Sequence, residues 1–143
     1  MLNLQQLKQI MENACNEVIS KDLDLLKIWA QEESINHRLA VYLENKFWDY
    51  KIDCEYNRDW SNTKLDAGNK KFRPDIIIHK RTIEDNLVYI EIKTNDDWRW
   101  KVWITEDLQK IKDNQIKYNY QYGVFVLFKN DWLFEIQIFP KIL

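Results

Sequence analysis

The apolar residues of this chain change their period near residue 50, so helices must come first and a sheet after them. Before that point Leu4, Leu7, Ile10, Met11, Ala14 and Val18 recur at three- and four-residue steps, which lays one apolar stripe along a helix. Ser20 or Asp22 is placed to cap a second short helix through Leu23, Leu26 and Trp29. A third helical segment spans 31–47, with Ile35, Leu39, Tyr42, Leu43 and Phe47 as its stripe. Beyond it, residues 51–56 alternate in the manner of a strand, in a local pattern that suggests burial of Cys54. Two further strands are expected at 75–79 and 87–94, joined as a hairpin by a short connection over 81–86. Thr105 or Asp107 opens another helix through Leu108, Ile111 and Gln115. Residues 123–128 form a nearly continuous apolar run that suits a buried strand. Trp132 to Phe139 makes a last strand, stopped by Pro140. Residues 57–72 are polar and read as a loop with at most a partial turn of structure.

This order predicts an α/β fold, a central mixed sheet flanked by helices, with extra helices at the N-terminus. A chain of 143 residues with 45% hydrophobic content is expected to form a single domain with a packed core. It has only two Gly and two Pro, so Asn and Asp must make most turns. The formal charge of -2 does not advertise a nucleic-acid surface. Candidate basic patches lie at Lys70, Lys71 and Arg73, at Lys80 and Arg81, and at Arg99 and Lys101; each also reads as solvated loop charge. Cys15 and Cys54 lack a CxxC partner, which argues against zinc and against a disulfide framework. Neither a signal-peptide run nor a membrane-spanning stretch is evident, so a cytoplasmic location and no membrane partner are expected. His37 and His79 have no metal-ligand spacing and read as surface or structural histidines.

Two strands share a feature that a plain core does not require. On 75–79, Asp75 and Ile77 point away from Ile76 and Ile78; on 88–93, Tyr89, Glu91 and Lys93 point away from Val88, Ile90 and Ile92. If the strands are neighbours, Asp75, Glu91 and Lys93 converge. Two carboxylates around a free space suit a hard divalent cation such as magnesium. Such an ion polarises a phosphoryl oxygen and acidifies water, and an adjacent lysine can orient or deprotonate the attacking water or stabilise phosphoryl charge. The Glu-x-Lys spacing matters because alternate strand residues share a face.

Pro74-Asp75, then fifteen residues, then Glu91-Ile92-Lys93 resembles the PD-(D/E)xK signature of restriction-endonuclease-like nucleases. The element order from about residue 31 to about residue 130 is similar to the αβββαβ core of that superfamily. The resemblance implies that Asp75 and Glu91 ligate Mg2+ (or Mn2+), that the Ile92 carbonyl is a further ligand, that Lys93 is catalytic, and that the first core helix adds an acid. Of Glu32 and Glu33, Glu32 extends the inward Ile35–Leu39 stripe. Gln109 or Lys110 occupies the place where the superfamily supplies a polar contact to water or phosphate. The segments 36–44 and 53–58 are also similar to small stand-alone bacterial members. The expected activity is metal-dependent endonucleolytic hydrolysis of DNA; the alternative is a non-catalytic nucleic-acid-binding or protein-interaction module on the same fold. Trp98, Trp100 and Trp103 beside Arg99 and Lys101 suit stacking on bases, the closing of a core, or a dimer surface. Trp132 and Phe134 raise the homodimer reading through the last strand.

Overall fold

The computed structural model describes residues 1–28, 30–59, 61–94 and 100–142, and the side chains of 100–103 are outside the description. Four helices, α1 (Leu4–Lys21), α2 (Leu23–Lys27), α3 (Glu32–Glu44) and α4 (Trp100–Lys117), accompany strands β1 (Lys51–Cys54), β2 (Arg58–Asp59), β3 (Asn62–Thr63), β4 (Ile76–Lys80), β5 (Asp85–Thr94), β6 (Tyr122–Phe128) and β7 (Phe134–Pro140). Five strands form one sheet in the order β1-β4-β5-β6-β7. All neighbours are antiparallel except β5 and β6, which are parallel and joined through α4. The expected helix-flanked mixed sheet is present, with α1 and α2 as the additional helices. No helix among the described residues is long and apolar enough to cross a membrane.

The period-two pattern divides the core into two layers. Ile76, Ile78, Val88, Ile90, Ile92, Val124, Val126 and Phe128 face the buried stripes of α1 and α3, where Leu7, Met11, Ala14, Val18, Ile35, Leu39 and Leu43 lie. Ile77, Tyr89, Phe125 and Leu127 face the other way and pack with Ile111 of α4, Phe72, Tyr118 and Tyr120. Strand β6 is therefore covered on both faces, as its unbroken apolar run requires. Gly123 sets the approach of α4 to β6: a Cβ there would stand 2.5 Å from Ile111 Cγ2 and 3.1 Å from Gln115 Oε1. Gly123→Ala is expected to destabilise the protein by about 1–3 kcal/mol through overpacking, read as a lower urea midpoint. An unchanged midpoint would show that α4 is not held this close to β6.

Several expectations are corrected. Helix α4 begins at Trp100 and not at Thr105 or Asp107. Asp22 stands at the start of α2 but caps nothing with its side chain; its carboxylate instead accepts from Arg38 Nε at 3.0 Å and from the Tyr42 hydroxyl. That bond leaves Tyr42 half-buried. Helix α3 stops at Glu44, so Phe47 packs from beyond the helix. Cys54 is exposed because it ends a four-residue edge strand. The 57–72 segment is not a plain loop: β2 and β3 form a small hairpin, and Leu65 bridges to Lys71. Asn69 and Asn119 take positive φ, as the scarcity of glycine predicts, yet so do Glu55 and Trp132. Trp29 and the 98–99 part of the aromatic-basic segment lie outside the described residues, as do the side chains of Trp100, Lys101 and Trp103.

Candidate active site

The register of β4 on β5 builds the site. Ile76 is opposite Ile90 and Ile77 opposite Tyr89, so the next step along the antiparallel ladder sets Asp75 against Glu91 on one face. Asp75 Oδ2 accepts from the Ile92 amide at 2.7 Å, which ties the residue just before β4 to its neighbour strand. Glu91 is only 2% exposed. It accepts from the Tyr89 hydroxyl, and Lys110 Nζ of α4 lies 3.0 Å from its Oε1. Lys93, two residues further along the same strand face, has its ammonium 3.3 Å from Glu32 Oε1 and 3.7 Å from Asp107 Oδ2. Glu32 Oε2 also accepts from the Thr94 amide at 3.3 Å.

Helix α3 thus delivers Glu32 from its first turn to the end of β5, while Glu33 is exposed and has no ion pair with the cluster among the described residues. Helix α4 delivers Asp107 and Lys110, three residues apart and hence neighbours on one helix face. Gln109 is turned away: its amide donates to Asp113 Oδ1 at 2.9 Å on the exposed side. Of the two candidates on that helix, Lys110 meets the cluster and Gln109 does not. Sequence reasoning missed Asp107, read as a possible helix start, and Tyr89, which strand alternation places on the face of Glu91. The histidines stay apart from the cluster. His37 is exposed, and His79 is buried with its Nε2 at 2.8 Å from Asp53 Oδ2.

Electrostatics follow from burial of this charge set. Burial, then the negative charge of Glu91, pushes the Asp75 carboxyl up to about 8, and hydrogen bonding to Glu91 adds to the rise. Burial also raises the Glu32 and Asp107 carboxyls, with Lys93 opposing the rise in each. Burial pulls the Lys93 ammonium down, but the charges of Glu32, Asp107, Asp75 and Glu91 outweigh it and the net shift is upward. Lys93 is therefore held as a cation. Its surroundings suit stabilisation of negative charge and oppose its use as a proton acceptor.

Glu32, Asp75, Glu91 and Asp107 outnumber Lys93 and Lys110 by two. Among the described residues, no three His, Cys, Asp or Glu side chains are arranged to hold a metal ion by themselves. A cation that keeps part of its water shell takes one or two carboxylates from a protein, and the buried oxygen pair of Asp75 and Glu91, with its raised Asp75 carboxyl, fits that demand.

No family model matches the chain. The DNA ligase of Borreliella burgdorferi is 32% identical over 98 residues, covering 68% of this chain and 14% of the ligase. The DNA ligase of Borrelia garinii subsp. bavariensis is 30% identical over 86 residues, covering 60% of this chain and 13% of that protein. The chain thus spans about 14% of the length of the curated relatives it matches. Among solved structures, SSO0001 aligns with a TM-score of 0.46 and 17% identity, over 93% of this chain and 64% of that one. An alkaline exonuclease from Laribacter hongkongensis, LHK-Exo, aligns with a TM-score of 0.42 and 14% identity, over 99% of this chain and 72% of that one.

Proposed function

We propose that this chain is a metal-dependent nuclease of the PD-(D/E)xK type that hydrolyses phosphodiester bonds, with DNA as the substrate. One observation carries the reading: Asp75 and Glu91 meet across adjacent strands, with the Lys93 ammonium held on the same strand face. A structural ion-pair network has no need of two more acids than bases in a half-buried cluster. The matches to proteins named DNA ligase support DNA as the polymer.

Asp75 and Glu91 would hold Mg2+ or Mn2+, with Glu32 and the Ile92 carbonyl beside them. The ion supplies Lewis-acid polarisation of the phosphoryl group. Tyr89 and Lys110 fix the Glu91 carboxylate from two sides. Glu32 and Asp107 position the Lys93 ammonium. That ammonium then faces the negative charge that grows as the phosphodiester is attacked, where a preorganised cation is most effective.

The test is cleavage of single-stranded, double-stranded and branched DNA, and of RNA, with Mg2+ or Mn2+. Wild type is expected to cut DNA. Glu32→Gln is expected to lose about tenfold or more in rate, because the Lys93 ammonium loses its anchor. Glu33→Gln is expected to cut like wild type. Metal binding without cleavage of any of these polymers would favour a binding module instead, and equal effects of the two glutamate variants would remove Glu32 from the site.

A further inference from the structure

A second polar feature lies toward the far end of β4 and β5 from the acid cluster. A cavity of about 200 Å³ is walled by the β2–β3 segment, the β4–β5 connection and the end of α4. It begins at His79 and Lys80, four to five residues along the chain from Asp75, or about 13–17 Å at the rise of a strand. Five basic side chains line it against two acids, Asp59 and Glu84. Two of the cations are already paired, Lys80 with Asp85 at 3.4 Å and Arg81 with Asp53. The other three, Arg58, Lys64 and Lys117, have no carboxylate within ion-pair distance among the described residues. The Arg58 guanidinium donates to the Thr63 hydroxyl at 3.4 Å, and Lys117 donates to the Asp66 carbonyl at 2.9 Å.

Lys64 is the unusual member. It is 3% exposed. Its ammonium donates to the Tyr120 hydroxyl at 2.8 Å and otherwise faces the rings of Tyr56, Tyr118 and Tyr120 at 5.3, 5.5 and 5.5 Å. Burial pulls it down to about 8. A buried cation without a counterion, as Lys64 is, is costly unless something compensates it, and this donor with the exposed Arg58 and Lys117, from separate chain segments around one cavity, matches the several oxygens of a tetrahedral anion.

We propose that this cavity binds a phosphate group, held by Arg58, Lys64 and Lys117. The same chemistry is offered by a nucleic-acid strand and by free phosphate or a mononucleotide. The site requires no catalysis at Asp75 and Glu91, so it stands or falls apart from the nuclease reading.

The experiment uses the full chain in EDTA at low ionic strength. Inorganic phosphate, a nucleoside monophosphate, the parent nucleoside and a single-stranded oligonucleotide are titrated by calorimetry. Arg58→Gln and Lys117→Gln are the informative variants, because both side chains are exposed and their loss opens no core void. Saturable one-to-one binding is expected for phosphate-bearing probes and not for the nucleoside, weakened about tenfold in each variant. Comparable binding of phosphate, monophosphate and oligonucleotide identifies a free phosphate as the ligand. Binding of the oligonucleotide alone, still weakened by both variants, identifies a strand phosphate. The proposal is overturned if no probe saturates, if both variants bind like wild type, or if Lys8→Gln on α1 weakens binding as much.

Discussion

Replacing Lys93 by alanine is expected to stop DNA cleavage, with a rate loss of at least about 10², while the fold and most of the metal affinity remain. The side chain belongs to the polar face of β5, is 19% exposed and contacts Glu32 and Asp107, so its removal leaves a polar space that water can enter and not a cavity in the apolar core. Asp75 and Glu91 are untouched, and a cation bound there replaces part of the positive charge that the cluster loses. What goes is the ammonium that four carboxylates keep charged. Cleavage by Lys93→Ala at the wild-type rate would leave the fold standing and end the assigned role. The paired measurements are single-turnover cleavage and Mn2+ titration on the same protein.

The metal-free protein is expected to lose stability as pH rises from about 4 to about 8, and Asp75→Asn is expected to abolish most of that loss. The sign follows from linkage. The Asp75 carboxyl is raised in the folded chain, from an ordinary value near 3.8 to about 8. Between these values the native state binds more protons than the unfolded state, so stability falls with pH. The penalty is absent below the unfolded value and complete above the folded one. It amounts to about 2–5 kcal/mol at pH 8, since each factor of ten in proton affinity is worth about 1.4 kcal/mol and the buried pair relaxes in part. Asparagine keeps an oxygen for the Ile92 amide and cannot ionise. The variant should therefore be more stable than wild type at pH 8 without metal and equal to it at pH 4, in urea titrations of both. Adding Mn2+ should raise the wild-type midpoint at pH 8 and leave Asp75→Asn nearly unmoved. A variant less stable than wild type at pH 8 would mean that Asp75 is not under this strain.

The strand pair was legible because alternation alone puts Tyr89, Glu91 and Lys93 on one face, and because Pro74-Asp75 marks the start of the strand that meets them. Glu32 was legible as the polar end of an apolar stripe, since helical geometry separates it from Glu33 by about 100°. Asp107 was hidden by its own residue type: an acid near a presumed helix start reads as a cap, and only the true beginning of α4 at Trp100 moves it to an inward helical position. Gln109 and Lys110 are adjacent in sequence, so an error of one residue in helix phase exchanges the inward group for the outward one. The cavity beside the β4–β5 connection was invisible for a different reason. Arg58, Lys64 and Lys117, without a carboxylate partner among the described residues, are scattered over the chain and form no local basic run, whereas the conspicuous Lys80-Arg81 pair is largely neutralised by Asp85 and Asp53. Local patterns report faces of single elements; they do not report which loops the sheet brings together.

The crossover through α4 has a consequence for the order in which the chain acquires its charges. The turn between β4 and β5 spans few residues, and short loops close at low entropic cost. Asp75 and Glu91 therefore come together by the most local step in the sheet, with only Lys93 and the Ile92 amide of the same hairpin to offset their repulsion. Lys110 and Asp107 arrive only when α4 has carried the chain across to the parallel strand β6, and Glu32 only when α3 docks on the opposite face. Such non-local closures come late in folding. The nascent hairpin thus carries an electrostatic debt that the rest of the sheet must discharge, and the divalent ion proposed for Asp75 and Glu91 would act on the folding rate as well as on the finished site.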